Sequence, residues 1–144
     1  MKNIFTIDTE DWFHANYEDG LFNNSSEVKS TVEENTEVYL KALEENQATA
    51  TFFVLGFVAE QHPELVRRIA NAGHEIASHG YGHQLVYKQT PEVFKQDVYR
   101  SKCMLEDLVG KPVLGYRAPS WSITEDSFWA LGILNELGFR YDSS

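Results

Sequence analysis

The sequence predicts an α/β fold built on a parallel sheet, and three observations carry that expectation. Short β-branched and aromatic runs alternate strictly with longer segments of helical period, in the order β-α-β-α-β-α-β-α-β. The second strand-like run is continuously apolar, as in a strand covered on both faces. The side chains best suited to chemistry fall directly after these runs, and a parallel sheet gathers such positions at one end.

The elements follow in order. Ile4, Phe5, Thr6 and Ile7 read as a first buried strand that runs into Asp8, Glu10, Asp11 and His14. Three carboxylates directly after an apolar strand are costly unless a cation satisfies them; the alternative is an acid-rich helix start. Residues 15–24 are polar and broken by Asp19-Gly20 and Asn23-Asn24, which predicts a long first loop. A helix begins near Ser30 or Thr31, where Ser30 with Glu33 and Thr31 with Glu34 both fit a capping box. Val32, Thr36, Tyr39, Leu40 and Leu43 make its inner stripe.

Residues 50–55 form the second strand. Pro63 opens a helix through Leu65, Val66 and Ile69 that ends at Gly73, with His62 and His74 as structural or surface residues beside it. Residues 74–78 form the third strand and lead into His79 and His83. Thr90, Pro91 and Glu92 start a helix with Phe94, Val98, Leu105 and Leu108 inward and Gly110 at its end. Residues 113–116 form the fourth strand and run into Arg117, Ala118, Pro119, Ser120 and Trp121. Thr124 caps a helix with Phe128, Leu131, Leu134 and Leu137 inward, and residues 139–142 begin a fifth strand.

Composition narrows the class of function. The chain has 144 residues, 42% of them hydrophobic, enough for one domain with a core. A net charge of −10 argues against nucleic acid or an anionic membrane as partner. The single cysteine, Cys103, has no partner within the chain and reads as a small core side chain. No apolar run approaches the ~20 residues of a membrane span. The first residues run straight into a strand with no signal-peptide pattern, which points to the cytoplasm.

His79 and His83 stand at i and i+4, a spacing that puts both rings on one face of a helical turn. Two imidazoles at one strand end, with acids at the end of another, suit a divalent transition metal, zinc by preference, with an open coordination position.

Three ordered motifs resemble the polysaccharide deacetylases of the NodB-homology type, carbohydrate esterase family 4: Asp8-Thr9-Glu10-Asp11, His79-Gly80-Tyr81-Gly82-His83 and Arg117-Ala118-Pro119-Ser120. Ala50-Thr51-Phe52-Phe53 and Gly73-His74-Glu75-Ile76 look like the family's framework, so the resemblance covers the whole chain. The acid motif departs from the compact family form and looks like the branch that holds some peptidoglycan deacetylases, allantoinase-like enzymes and exopolysaccharide enzymes. Glycine stands at Gly80 where the family has Ser or Thr. Ser120 stands where it has an aromatic residue, with Trp121 one step on.

The resemblance implies a NodB-type deformed (β/α) barrel, of which residues 1–144 supply the first four βα units and a fifth strand as one partial catalytic domain. It implies removal of N-acetyl groups from an N-acetylated glycan, giving acetate and amine. Hydrolysis of a small cyclic amide, or a non-catalytic metal-binding role, are the alternatives. Asp8 would be the general base with Arg117 as its partner. Glu10 or Asp11 would hold zinc with His79 and His83; on an extended segment Asp8 and Glu10 point the same way, which favours Glu10, while a turn there would favour Asp11. The backbone near Ser120 would help to hold the oxyanion. The family's last two motifs, including the histidine that protonates the leaving amine, do not occur in the sequence. The expectation is therefore little activity from this chain alone, and an open edge at the fifth strand, so that the 144 residues either pair with a second copy as a homo-oligomer or belong to a longer product.

Overall fold

The computed structural model describes residues 4–14 and 29–144; the expected first loop at 15–24 lies outside them. The strands are β1 (Thr6–Thr9), β2 (Thr51–Val54), β3 (Glu75–Ser78), β4 (Gly115–Tyr116) and β5 (Tyr141–Asp142). They form one sheet in the order β1-β2-β3-β4-β5, every pair parallel. The helices are α1 (Val32–Glu45), α2 (Gly56–Gln61), α3 (Pro63–Asn71), α4 (Pro91–Val109) and α5 (Trp129–Glu136). Each strand pairs with the next in sequence, so each crossover steps one place in the same direction. Right-handed crossovers of that kind put all the helices on one face, as in the wall of a βα barrel. Along it α2, α3 and α5 all pack on α4.

The core lies between sheet and helices. Phe52 and Val54 from β2, Leu65, Val66 and Ile69 from α3, and Phe94, Val98 and Leu105 from α4 are fully buried in one cluster. Each such side chain contributes about 1.5–3 kcal/mol of transfer free energy. α4 is bounded as its sequence demands: Thr90 Oγ1 accepts from Val93 N at 3.3 Å, and Gly110 ends it in the left-handed region. Among the described residues no helix is long and apolar enough to cross a membrane.

Several expected elements are shifted. The first strand runs two residues later than residues 4–7, because it pairs with 51–54 of β2, and Ile4 and Phe5 are left exposed. Asp8 therefore lies within the strand and not after it. α2 has no counterpart in the expected order; it fills the connection between β2 and α3. Neither capping box at α1 forms, since Thr31 makes no side-chain cap. α5 buries Ala130 and Leu134 and packs Trp129, Ile133 and Leu137 on the core, while Phe128 and Leu131 are exposed. A single turn of 3-10 helix, Glu125–Ser127, precedes α5 and sets its phase.

Gly115 is required by close approach. A Cβ there would clash with Cζ and the hydroxyl oxygen of Tyr141, whose side chain lies across β4 to bond Glu75 Oε1 on β3 at 2.8 Å.

Candidate active site

The parallel register brings three strand ends together. Asp8 and Glu10 arrive from β1, His79 from the residue after β3, and Arg117 from the residue after β4. Arg117 N donates to Ser78 O at 3.0 Å, which continues the β3–β4 ladder by one step and fixes where its side chain starts. These residues, with His83, Ala118, Ser120 and Trp121, line a cleft of about 160 Å³.

Glu10, His79 and His83 each offer one ligand atom, and the three atoms lie within 4.8 Å of one another. Glu10 Oε2 is 3.0 Å from His83 Nε2. The two rings meet edge to face with centroids 5.2 Å apart, and both are buried. His79 Nδ1 lies 2.8 Å from the carbonyl oxygen of Arg117, which can only accept. That contact puts the ring proton on Nδ1 and leaves Nε2 as a lone pair facing the acids, the orientation a metal-ligating histidine needs. Two imidazole nitrogens and one carboxylate, held close together on a cleft wall, fit a divalent transition ion with open positions.

Charge supports the same arrangement. Burial pushes the His79 imidazole below its ordinary value, although Asp8 and the Arg117 carbonyl pull the other way. Burial alone would raise the Glu10 carboxyl; the hydrogen bond and charge of His83, with His79 and His14 behind it, bring it below the ordinary value instead. The cluster thus favours a neutral imidazole at His79 beside an ionised carboxylate at Glu10, the protonation states that bind metal.

Asp8 stands beside this cluster. Its Oδ2 is 3.9 Å from His79 Nε2, and its Oδ1 accepts from Arg117 Nη1 at 2.7 Å. The guanidinium is itself fixed: Nη2 donates to Thr6 Oγ1 at 3.2 Å and Ser143 Oγ at 2.8 Å, Nε donates to the Ser143 carbonyl at 3.2 Å, and the group lies over the Phe53 ring at 4.1 Å.

Asp11 is not brought to the cluster. One carboxylate oxygen accepts from Ser30 Oγ at 2.6 Å, the other from Thr31 N at 2.8 Å, so it caps the start of α1 from outside. β1 stays extended to Thr9, which sends Asp8 and Glu10 to one side and Thr9 and Asp11 to the other, where both are buried.

The histidine pair meets by a route other than a helical turn. Residues 79–83 form a loop in which Gly80 has φ +76° and His83 has φ +55°. Ser120 and Trp121, both on the cleft wall, also have φ near +50°. Non-glycine residues held in this region are concentrated at sites that the surrounding structure over-determines. Among the partners of Arg117, Phe53 belongs to the framework run 50–53, while Thr6, Ser143 and Asp97 of α4, which holds the histidine loop, carry no motif of their own. The one sequence signal for Asp97 is an acid one turn from Phe94 and beside Val98, on the inward side of an apolar stripe.

Comparison with known proteins adds the following. The family model described as polysaccharide deacetylase matches residues 13–141. A peptidoglycan deacetylase of Helicobacter pylori is 34% identical over 109 residues, covering 73% of this chain and 35% of that protein. A peptidoglycan-N-acetylglucosamine deacetylase of Bacillus cereus is 32% identical over 113 residues, covering 74% of this chain and 41% of the relative. The chain thus spans well under half the length of these curated relatives. Among solved structures, a provisionally assigned polysaccharide deacetylase from Mycobacterium smegmatis superposes with a TM-score of 0.77 at 32% identity, over 96% of this chain and 49% of that one.

Proposed function

The chain belongs to the polysaccharide deacetylase family, and from that premise we propose that it carries the metal-binding and base-bearing part of a hydrolase that removes N-acetyl groups from an N-acetylated polysaccharide. The observation that carries this reading is the convergence of Glu10, His79 and His83, with the Asp8–Arg117 pair alongside. His79, His83 and Glu10 would hold the ion, zinc by the chemistry of the donor set. A bound ion would polarise the acetamide carbonyl and acidify water.

The remaining work falls to the chain's own groups. Asp8 accepts the proton of the attacking water at Oδ2, because Oδ1 is already committed to Arg117. Water oxygen bonds to the acetyl carbon, the C–N bond breaks as the proton taken up by Asp8 passes to the leaving nitrogen, and acetate and the amine leave. Trp121, exposed on the cleft wall, gives a flat face against which a sugar ring can lie. The names of the two bacterial relatives favour peptidoglycan or a related N-acetylglucosamine polymer as substrate. Residues 1–144 are read as part of one catalytic domain. Among the described residues the outer edges of β1 and β5 pair with no other strand, and they would pair with further strands of a longer chain or with a second copy. Light scattering on the isolated chain separates the two.

The test measures metal and product separately. His79→Ala and His83→Ala should each lose stoichiometric metal in elemental analysis. Asp8→Asn, in the whole gene product that carries these residues, should keep metal and release acetate from peptidoglycan or chitin oligosaccharides about 10²–10⁴-fold more slowly. Full metal content in both histidine variants, or near-normal acetate release by Asp8→Asn, would sink the assignment.

A further inference from the structure

The loop between the two histidines is tied down at each of its backbone polar groups from Gly80 to Tyr81. Gly80 N donates to Ser78 Oγ at 3.2 Å, and Gly80 O accepts from Gly56 N at 2.8 Å. Tyr81 O accepts from Phe57 N at 3.0 Å, and Tyr81 N donates to Asp97 Oδ2 at 2.8 Å. Three of these partners are backbone groups or a neighbouring hydroxyl. Asp97 alone is a charged side chain reaching in from a distant element, sixteen residues along the chain. It sits partly buried on α4, outside the cleft lining.

α4 presents a template to this loop. Arg100, one turn beyond Asp97, lays its guanidinium 3.6 Å from the Tyr81 ring centroid and bonds Glu60, which in turn accepts from the Tyr81 hydroxyl. Ser101, at i+4 from Asp97, meets Ser78 Oγ at 3.1 Å. The template also explains Gly80. Its φ of +76° suits glycine, and an added Cβ would come within 3.0 Å of Asp97 Oδ2. A carboxylate held against the loop from outside leaves little room for a side chain at position 80.

We infer that Asp97 is the positioning residue of the candidate metal site: by accepting the Tyr81 N–H it holds the loop in the left-handed conformation that brings His79 and His83 together. It touches neither imidazole and acts through the backbone between them. The inference rests on the reading of Glu10, His79 and His83 as metal ligands, and its test keeps the two apart.

Co2+ serves as the probe, titrated into the chain and followed by its visible d–d bands. Asp97→Ala should weaken Co2+ binding about 10–100-fold, the range for partners that orient metal ligands, and should change the band positions of the bound ion. Asp97→Asn keeps an acceptor oxygen and should restore the affinity to within a few fold and the spectrum to its original form. Val98→Ala, on the buried face of the same helix and in the hydrophobic core, supplies a destabilised control that keeps the Asp97 carboxylate and should bind Co2+ normally. If Asp97→Ala proves unfolded by circular dichroism, Asp97→Ser, too short to reach the Tyr81 N–H, is read in its place. An unchanged affinity and spectrum in the Ala or Ser variant, with His79→Ala and His83→Ala losing the ion, overturns the inference alone. Retention of Co2+ by the histidine variants overturns the metal reading beneath it. Equal losses in Asp97→Ala and Val98→Ala would show that Asp97 acts only through general stability, and would also overturn the inference.

Discussion

Glu10 and Asp11 are adjacent acids that face opposite ways and meet different partners. Alternation along the chain was enough to separate them onto two sides, and it correctly paired Asp8 with Glu10. It could not say where β1 stops, because a turn one residue earlier would have exchanged the two. The structure settles this through packing: β2 holds β1 extended to Thr9, and the buried Asp11 carboxylate is spent on Ser30 and Thr31. Asp11→Ala should therefore behave as a lost helix cap. We expect it to cost about 1–2 kcal/mol in urea unfolding and, on the proposed reading, to leave bound metal at full stoichiometry. Loss of metal with unchanged stability would return Asp11 to the ligand set. The Arg117–Asp8 pairing was expected from the family resemblance alone. No local pattern announces a contact between residues on β1 and after β4.

At the scale of elements, length decided what could be read. α4 is long, capped by Thr90 and closed by Gly110, and its ends and inner face were legible. α2 has six residues, too few for helical periodicity to show, and was missed. The inner face of α5 was misplaced at its start, because a single 3-10 turn before it shifts the phase and no residue pattern marks that turn. β4 and β5 shrink to two residues each and depend on their neighbours for definition. Gly115 bears much of that dependence, since Tyr141 crosses it to reach Glu75. Gly115→Ala should destabilise the chain by about 1–3 kcal/mol, the usual cost of overpacking. Adding Tyr141→Ala should recover most of that loss in a double-mutant cycle. Additive losses would mean that the two residues do not share the space.

For the molecule as a whole, the strict alternation of elements fixed the parallel sheet and its one chemical end. What alternation could not supply was the neighbour order, which is sequential here and makes the site a meeting of far-separated segments. Arg117 and Asp8 are 109 residues apart in the chain, and the guanidinium lies over Phe53 of β2 on its way between them. β2 and β3, by contrast, come together across about 24 residues. Closing a longer loop costs more chain entropy, and the cost is recovered only once the intervening strands are in place. We therefore expect assembly to be ordered in time, with the β2–β3 core first and the join from β4 back to β1 last. Hydrogen exchange during refolding reads this directly: the Arg117 amide, bonded to Ser78, should gain protection no earlier than the amides of β3 bonded to β2. The reverse order would refute it. On the proposed reading, a chain caught part-way along this route has its histidine loop but no oriented base. The candidate ligand set is likewise complete only when β1 has brought Glu10 and the residue after β4 has brought the carbonyl that orients His79, so the place for an ion and the oriented base arrive together, at the end of assembly.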